Sequence, residues 1–397
     1  MKMMKTVRKV FRVIPALLVF FMFLKNLNAS DTIPSHIKIR LFSGRETDII
    51  FFSAVSGEYS AEIYPGGSFR IKAGSTAVIT GYNGRLALKT EGEKALLSDS
   101  VIFKGITGFD RFILSNNDRT IFKYSGDFSC YPDLGTIKLV NNCDIEEYIA
   151  GVVKAEGGNG KKEEYFKTQA VIARTYTYRY MGKHLADGYN LCDATHCQVF
   201  NGITDDDMIK NAVQHTAGMV IVTPDSNLII SAFHSNCGGE TSPSEYVWLT
   251  SLPYLSGVKD PYCTGSKNAA WEKKISLDEW KNTLAANGYK GNSDDPRKFV
   301  FSQPSRMMNY TADSFSIPFN VLRTSLGLRS AWFSVFADGD SLLLRGRGYG
   351  HGVGLCQEGA MVMAGRGMKY EEIIKFYYSG VELINIAYAK KVKELKK

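Results

Sequence analysis

The sequence predicts an α+β protein, in which a β-rich N-terminal region precedes a mixed α/β core. From residue 37 to about 138, short alternating apolar runs are separated by Gly-containing turns such as PGGS and YNGR. From residue 143 onward, segments of helical periodicity alternate with short apolar runs. We therefore expect a β-rich region over 30–140 and a core domain over 141–390, with an insertion over 265–330.

The first 29 residues have the pattern of a secretory signal peptide. A basic start, MKMMKTVRKVFR, precedes the apolar run Val13–Leu24, and the small residue Ala29 follows. The run is short for a membrane-spanning helix, which needs ~20 residues. Cleavage after Ala29 predicts an exported protein, in the periplasm or at the cell surface. An uncleaved segment would instead anchor the protein in a membrane.

The charge distribution argues against nucleic-acid binding. The formal net charge is +8, and most of the excess of Lys and Arg lies in the N-terminal segment. The rest of the chain is close to neutral and has the composition of an ordinary globular protein. No basic surface for nucleic acid is therefore predicted.

Several elements of the core are predicted from local patterns. Phe166, Ala170, Ala173 and Thr177 fall on one side of a helix that ends near residue 180. The segment SLDEWKNTLAANG predicts a helix capped by Ser276, and YEEIIKFYYSG predicts a last helix. MVIVTPDSNLIISAF predicts a hairpin of two buried strands with its turn at Pro-Asp-Ser-Asn.

Glu156 occupies an unusual position for a charged residue. It follows the short apolar run 149–153 and precedes Gly157 and Gly158, at the entrance to the helix that ends near residue 180. Glycines permit a ligand to approach the backbone closely, so Glu156 is a candidate cleft residue. The alternative is a solvated loop glutamate, which is the commonest state for this residue type.

Three motifs follow one another along the core. They are NNCDIEEYIAGVVKAEGG with KTQAVIARTYTYRY, then AFHSNCGGETSPSEYVW, then GRGYGHGVGLCQEGA. In this order they resemble the stage II sporulation protein D and amidase-enhancer family of bacterial cell-wall proteins. The chain departs from the family pattern at Gly157-Gly158, where Met-Pro is usual, at Cys356, where Ser is common, and at Glu358, where an aromatic is common. The GxGxxG-like spacing of the last motif lacks a following βαβ unit, which excludes a dinucleotide fingerprint.

The resemblance implies a peptidoglycan lytic transglycosylase whose catalytic domain is the core. Such an enzyme cleaves the MurNAc–GlcNAc β-1,4 bond of glycan strands, here expected to be stripped of peptides, and leaves 1,6-anhydroMurNAc ends. Glu156 is the expected catalytic residue, first as acid and then as base. A lone carboxylate suits this reaction better than hydrolysis, which normally uses two. Glycan strands are the expected partner, and a cell-wall amidase is a second candidate partner.

The same motifs supply candidates for substrate binding. Arg174 could face sugar or carboxylate groups, or it could pair with a structural acid. His351 could face the cleft, or it could be a packed, satisfied histidine. The full set of substrate-binding candidates is Arg174, Tyr176, Gln169, His234, His351 and Gln357.

Two rival functions stay open at this point. The first is a non-catalytic, glycan-binding enhancer of a cell-wall amidase. The second is a cysteine hydrolase that uses Cys237 or Cys356 with His351.

The segment CDATHC predicts a structural zinc site. Cys192, His196 and Cys197 lie within six residues, with His184 just upstream, and these are ligand types that Zn²⁺ prefers. The resemblance also implies zinc at such a segment, with His184 as the candidate fourth ligand. The alternative is a Cys192–Cys197 disulfide formed in an oxidising compartment.

Two further disulfides are conjectured from position alone. Cys130 and Cys143 flank a turn-rich loop, and a Cys237–Cys263 bridge would tie the SNCGG loop to the PYC segment. Cys356 is left over as a buried thiol.

Overall fold

The computed structural model describes residues 33–116 and 121–389. The predicted signal peptide lies outside these residues, so its cleavage stays a prediction. None of the helices in the described part of the chain combines the length and apolar character needed to cross a membrane.

The N-terminal region consists of strands, as predicted, and its twelve strands form most of two sheets. Their bounds are β1 His36–Leu41, β2 Ile49–Ser56, β3 Glu58–Tyr64, β4 Ser68–Lys72, β5 Thr76–Tyr82, β6 Arg85–Thr90, β7 Leu96–Ser98, β8 Ser100–Gly105, β9 Arg111–Asn116, β10 Ile121–Ser125, β11 Asp127–Asp133 and β12 Thr136–Asp144.

The two sheets pack face to face around aromatic side chains. A seven-stranded sheet has the order β13-β1-β12-β11-β8-β3-β4, where β13 is Leu191–Cys192, and a six-stranded sheet has the order β10-β9-β2-β5-β6-β7. Phe52 of β2 stacks on Phe103 of β8 with ring centroids 4.2 Å apart, which joins the sheets. Strand β3 alternates buried and half-exposed residues, as expected for a sheet with one face in the core.

The rest of the described chain is a mixture of helices and short strands. The helices are α1 Ile145–Glu156, α2 Glu163–Tyr180, α3 Asp207–His215, α4 Glu245–Trp248, α5 Leu277–Ala286, α6 Phe319–Ser325, α7 Gln357–Gly365 and α8 Tyr370–Tyr377. The remaining strands are β14 Met219–Val222, β15 Phe233–His234, β16 Ala270–Ser276, β17 Asn309–Ala312, β18 Phe315–Pro318, β19 Phe333–Asp338, β20 Ser341–Arg347, β21 Leu355–Cys356 and β22 Glu382–Asn385.

Three of the predicted helices are present. Helix α2 buries the predicted apolar side, and α8 corresponds to the predicted last helix. Helix α5 begins after Ser276, whose side chain accepts a hydrogen bond from the Glu279 amide at 3.0 Å. This confirms the predicted cap.

The β-rich region and the core are continuous. Strand β12 crosses the expected boundary at residue 140 and leads directly into α1, whose first amides bond to the Asp144 side chain. Strand β13, from the core segment, pairs in parallel with β1. One hydrophobic cluster therefore contains residues of both regions.

Two expectations about local structure were wrong. Glu156, expected at the entrance to the helix that ends near residue 180, is instead the last residue of helix α1, and the apolar run before it belongs to the buried part of that helix. The hairpin expected after residue 219 is reduced to its turn, where Val222 and Leu228 bridge and the Thr223 amide bonds to the Asn227 carbonyl at 2.9 Å. The strand β14 itself pairs with β22, more than a hundred residues later.

A second hydrophobic cluster includes much of the region expected as an insertion and extends beyond residue 330. Its members run from Trp271 to Leu344 and are separate from the main cluster. Strands β16, β20 and β19 form its sheet, and the fully buried Trp280 of α5 lies in its centre.

All seven cysteines are buried free thiols in this structure. In the β11–β12 pair, Cys130 lies opposite Leu139, four residues from Cys143. Four residues along a strand span ~13 Å, beyond the reach of a disulfide. The Cys130–Cys143 bridge was therefore a wrong prediction.

Candidate functional site

Glu156 is the last residue of α1 and is half-buried. Burial raises the pKa of Glu156 from 4.5 to about 7, against the opposing effect of a hydrogen bond from the Val199 amide. That amide donates to Oε1 at 2.7 Å. Within the described residues Oε2 has no hydrogen-bond partner, so it is the oxygen available to carry a proton.

The end of α1 is held by side chains from two other helices, α7 and α2. Gln357, the first residue of α7, donates from Nε2 to the Glu156 carbonyl oxygen at 2.7 Å. The Tyr165 hydroxyl donates to the Gly157 carbonyl oxygen at 2.7 Å. Gly158 has φ of +62°, a conformation that favours glycine and turns the chain away from the helix. The structure therefore brings the candidates Glu156 and Gln357 together.

Tyr176 lies near the carboxylate, and Gln169 lies below the surface. Burial, together with the neighbouring Cys197, Tyr180, Cys192 and Glu156 groups, raises the pKa of Tyr176. Its ring packs against Tyr180 with centroids 4.6 Å apart. Gln169 is only 3% exposed, and its Nε2 has no hydrogen-bond partner in the described chain.

Arg174 does not face the surface. Its side chain is fully buried, and its guanidinium bonds to the Glu146 carboxylate at 2.5 and 2.9 Å and to the Met219 carbonyl at 3.2 Å. These bonds correspond to the structural alternative given for Arg174, and they leave no exposed atom to contact a sugar.

His234, on β15, and His351, in the glycine-rich segment that leads into α7, form a pair. Their ring centroids lie 5.5 Å apart, His234 Nδ1 bonds to the Val353 carbonyl oxygen at 3.1 Å, and His351 Nδ1 accepts from the Val353 amide at 3.0 Å. Burial lowers the pKa of both, and that of His351 to about 4, so both imidazoles are neutral at neutral pH. His351 also contacts the ring of Trp248, which is 38% exposed.

The cysteines proposed as nucleophiles are inaccessible. Cys237 and Cys356 are both fully buried, and among the described contacts neither sulfur meets His351. This placement gives no support to a cysteine hydrolase.

The four predicted zinc ligands converge. His184, Cys192, His196 and Cys197 have ligand atoms that all lie within 4.8 Å of one another. Cys197 Sγ is 3.5 Å from His184 Nε2 and 3.7 Å from His196 Nδ1. His184 Nδ1 in turn contacts Asp187 at 3.3 Å, the carboxylate contact that commonly orients a zinc-bound histidine. The donor set and its spacing fit a tetrahedral Zn²⁺ ion.

This cluster is connected to Glu156 by a short segment of chain. Two residues after Cys197, the Val199 amide reaches the carboxylate. Between them, the Gln198 side-chain oxygen accepts from the Tyr148 and Thr177 hydroxyls at 3.3 and 3.0 Å. The side chain of Gln198 therefore ties this segment to helices α1 and α2.

Sequence reasoning missed the roles of Val199, Gln198 and Trp248. The first acts through its backbone amide, which leaves no signal in residue type. Trp248 stood within a motif, and its exposure beside His351 becomes visible only once the chain is folded.

Comparison with known proteins gives consistent matches. The sequence family described as "Stage II sporulation protein" matches residues 133–222. The chain is 30% identical over 343 residues to an uncharacterized protein of Brachyspira hyodysenteriae, covering 83% of this chain and 89% of the relative. It is 30% identical over 261 residues to stage II sporulation protein D of Bacillus subtilis, covering 62% and 75%. It is also 29% identical over 288 residues to an amidase enhancer of Bacillus subtilis, covering 59% of this chain but 40% of the relative.

Proposed function

Because this chain belongs to the stage II sporulation protein D family, we propose that it is a peptidoglycan lytic transglycosylase with Glu156 as its catalytic residue. The substrate is the MurNAc–GlcNAc β-1,4 bond of peptide-stripped glycan strands. The protein acts outside the cytoplasm, in keeping with the N-terminal signal-peptide pattern.

The observation that carries the proposal is the environment of Glu156. A pKa raised to about 7 keeps a large fraction of the carboxyl group protonated at neutral pH, as a general acid requires. In the described chain, no other carboxylate is among the groups that shift this pKa. That isolation favours a one-carboxylate reaction over a hydrolysis with a paired acid and base.

The reaction conserves the proton of the enzyme. Glu156 donates its proton to the leaving glycosidic oxygen as the bond from that oxygen to the MurNAc anomeric carbon breaks. The resulting carboxylate removes the proton from the 6-hydroxyl, whose oxygen then bonds to the same carbon. The products are a free 4-hydroxyl and a 1,6-anhydro ring, no water is consumed, and Glu156 is protonated again.

Each half of this cycle has a structural basis. Burial of Glu156 favours the protonated form, and the Val199 amide stabilises the carboxylate that follows. The exposed indole of Trp248 offers a surface on which a sugar ring can stack, beside the neutral His351. Tyr176 and Gln357 are proposed to line the same surface, and the buried His234 is proposed to support His351 from beneath it.

We propose that Cys192, Cys197, His184 and His196 hold a structural zinc ion. Four protein ligands leave no open position for substrate, so the ion would fix the 192–199 segment rather than take part in the chemistry. Its contribution to the reaction is the placement of the Val199 amide.

The test is Glu156→Gln on amidase-stripped sacculi, with anhydro-muropeptides measured by mass spectrometry. Removal of the acid should lower their release by about 10³-fold or more, while circular dichroism stays unchanged. Glu382→Gln, at an exposed glutamate in β22, is the matched control and should retain full activity. Full activity in folded Glu156→Gln would reject the assignment. Whole sacculi, digested in parallel, test the preference for stripped strands.

The amidase-enhancer relative favours a second candidate function, a non-catalytic glycan-binding protein that stimulates an amidase. The purified protein alone separates the two. A transglycosylase releases anhydro products without a partner, whereas an enhancer only increases peptide release by an added amidase, and does so equally well as Glu156→Gln.

A further inference from the structure

We propose that Cys237, Asp260, Cys263 and Cys356 form a second, fully buried zinc site, distinct from the CDATHC cluster. These residues come from three separate parts of the chain: the loop after β15, the segment before β16, and the start of α7. Their ligand atoms all lie within 4.8 Å of one another.

The spacing suits one tetrahedral ion. Zn–S bonds of ~2.3 Å place two thiolate ligands ~3.8 Å apart. Cys237 Sγ lies 3.3 Å from Cys263 Sγ and 3.2 Å from Asp260 Oδ2. Small adjustments of these side chains would therefore bring all four donors onto a single Zn²⁺. Three sulfurs and one carboxylate oxygen are ligands that zinc accepts, and four protein ligands make a closed, structural site.

Backbone amides and a tyrosine hydroxyl donate hydrogen bonds to the cluster, as they commonly do to thiolate and carboxylate ligands of a metal ion. The sulfur of Cys356 accepts from the Cys237 amide at 3.3 Å and from the Gly359 amide at 3.4 Å. Asp260 accepts from the Tyr377 hydroxyl at 2.9 Å. A Cβ at Gly359 would lie 2.4 Å from Asp260 Oδ2, so only glycine lets α7 approach the carboxylate this closely.

The charge balance also favours a cation. Asp260 is completely buried, and a metal ion bound there would stabilise its ionised form. Arg306, 8% exposed, bonds to the Cys237 carbonyl at 2.7 Å and to the Glu240 carbonyl at 2.6 Å. It can offset part of the negative charge that three thiolates and a carboxylate would retain around Zn²⁺.

The competing arrangement is the Cys237–Cys263 disulfide conjectured above. That bridge would remove the Cys237 thiol proton that now bonds to Asp260, and it would leave Cys356 unused beside a buried carboxylate. The metal site uses all four groups. Cys356 stands where the resembled family commonly has Ser, so the site would not be general in that family.

The site would lock together the loops that carry the His pair and Gln357. Cys237 lies three residues after His234, and Cys356 immediately precedes Gln357. Strands β15 and β21, which end at His234 and Cys356, pair in parallel. A metal ion here would hold this edge of the candidate site rigid without touching substrate.

The test is the zinc content of the full chain, purified after growth with added zinc and measured by mass spectrometry. The wild type should bind about two zinc ions per chain, one at each closed site. Cys356→Ser and Cys192→Ser should each lose one, whereas Cys130→Ser, at a thiol equally buried in β11, should lose none. Unchanged zinc content in folded Cys356→Ser would overturn the proposal.

A second measurement on the wild type does not depend on the folding of any variant. With zinc bound, Cys237, Cys263 and Cys356 should resist alkylation until a chelator is added, and non-reducing peptide mapping should find all three as thiols. A mapped Cys237–Cys263 disulfide, or another metal in place of zinc, would overturn the proposal. Loss of the CDATHC ion alone would leave it intact.

Discussion

The two ends of helix α1 hold glutamates in opposite environments. Glu146, in the first turn, lies at the positive end of the helix dipole and bonds to the fully buried Arg174 at 2.5 Å. Glu156, at the negative end, is half-buried and has no cationic partner in the described chain, so its pKa rises to about 7. One helix thus carries a charged acid that stabilises the fold and a partly protonated acid available for chemistry.

The largest effect on stability is expected from substituting Glu146, at the N-terminal end of α1. Glu146→Ala leaves the Arg174 charge buried without its partner and should lower the free energy of unfolding by about 3–5 kcal/mol, measured by urea denaturation. The double variant Glu146→Leu with Arg174→Leu removes both charges and should recover most of that loss. A loss below about 1 kcal/mol for Glu146→Ala would contradict the structural role of the pair.

At the C-terminal end of α1, substituting Glu156 is expected to increase the free energy of unfolding rather than to lower it. The folded state raises the pKa of Glu156, so it binds more protons than the unfolded state between pH 4.5 and about 7, and stability falls as pH rises through that range. Glu156→Gln should therefore increase the free energy of unfolding at pH 8 by about 1–2 kcal/mol, reduced for partial exposure. At pH 4 the two proteins should be equally stable. Destabilisation by Glu156→Gln at pH 8 would refute the environment described here.

The smallest expected effect is on the pH dependence of activity, through the hydrogen bond that the 192–199 segment donates to Glu156. Transglycosylase activity should decline as pH rises above about 7, since the acid loses its proton. The hydrogen bond from the Val199 amide lowers the pKa of Glu156. Chelation that loosens the 192–199 segment should weaken this bond and therefore raise the pKa of Glu156. The alkaline limb should then move upward by roughly half a unit, together with lower maximal activity. A limb that moves downward after chelation would argue against this coupling.

Much of the fold could be predicted because its signals are local. Alternating apolar residues identified the N-terminal strands, and periodicity with a cap identified helix α5. Helix α1 was missed because its central residues, 148–153, are all buried, which leaves a short apolar run of ambiguous type. Strand β14 was assigned the wrong partner because its true partner, β22, is remote in sequence.

The site could be predicted only where a motif carried it. Glu156 and the three ligands of CDATHC lie within recognisable segments, and the structure brings those ligands together with His184. Arg174 was named as a substrate-binding candidate, with a structural acid as the alternative partner, and the sequence does not show that this acid is Glu146. The convergence of Cys237, Asp260, Cys263 and Cys356 depends on three loops meeting in space, which no local pattern encodes.

The hydrogen bond from Gln357 to the Glu156 carbonyl joins residues 201 positions apart. A ribosome completes the first of these residues long before the second, so the surroundings of the acid stay unfinished until almost the whole chain has been made. A nascent or shortened polypeptide would carry the glutamate but lack the contact that holds the end of its helix. The end of α1 therefore gains this contact only in a chain that extends as far as α7.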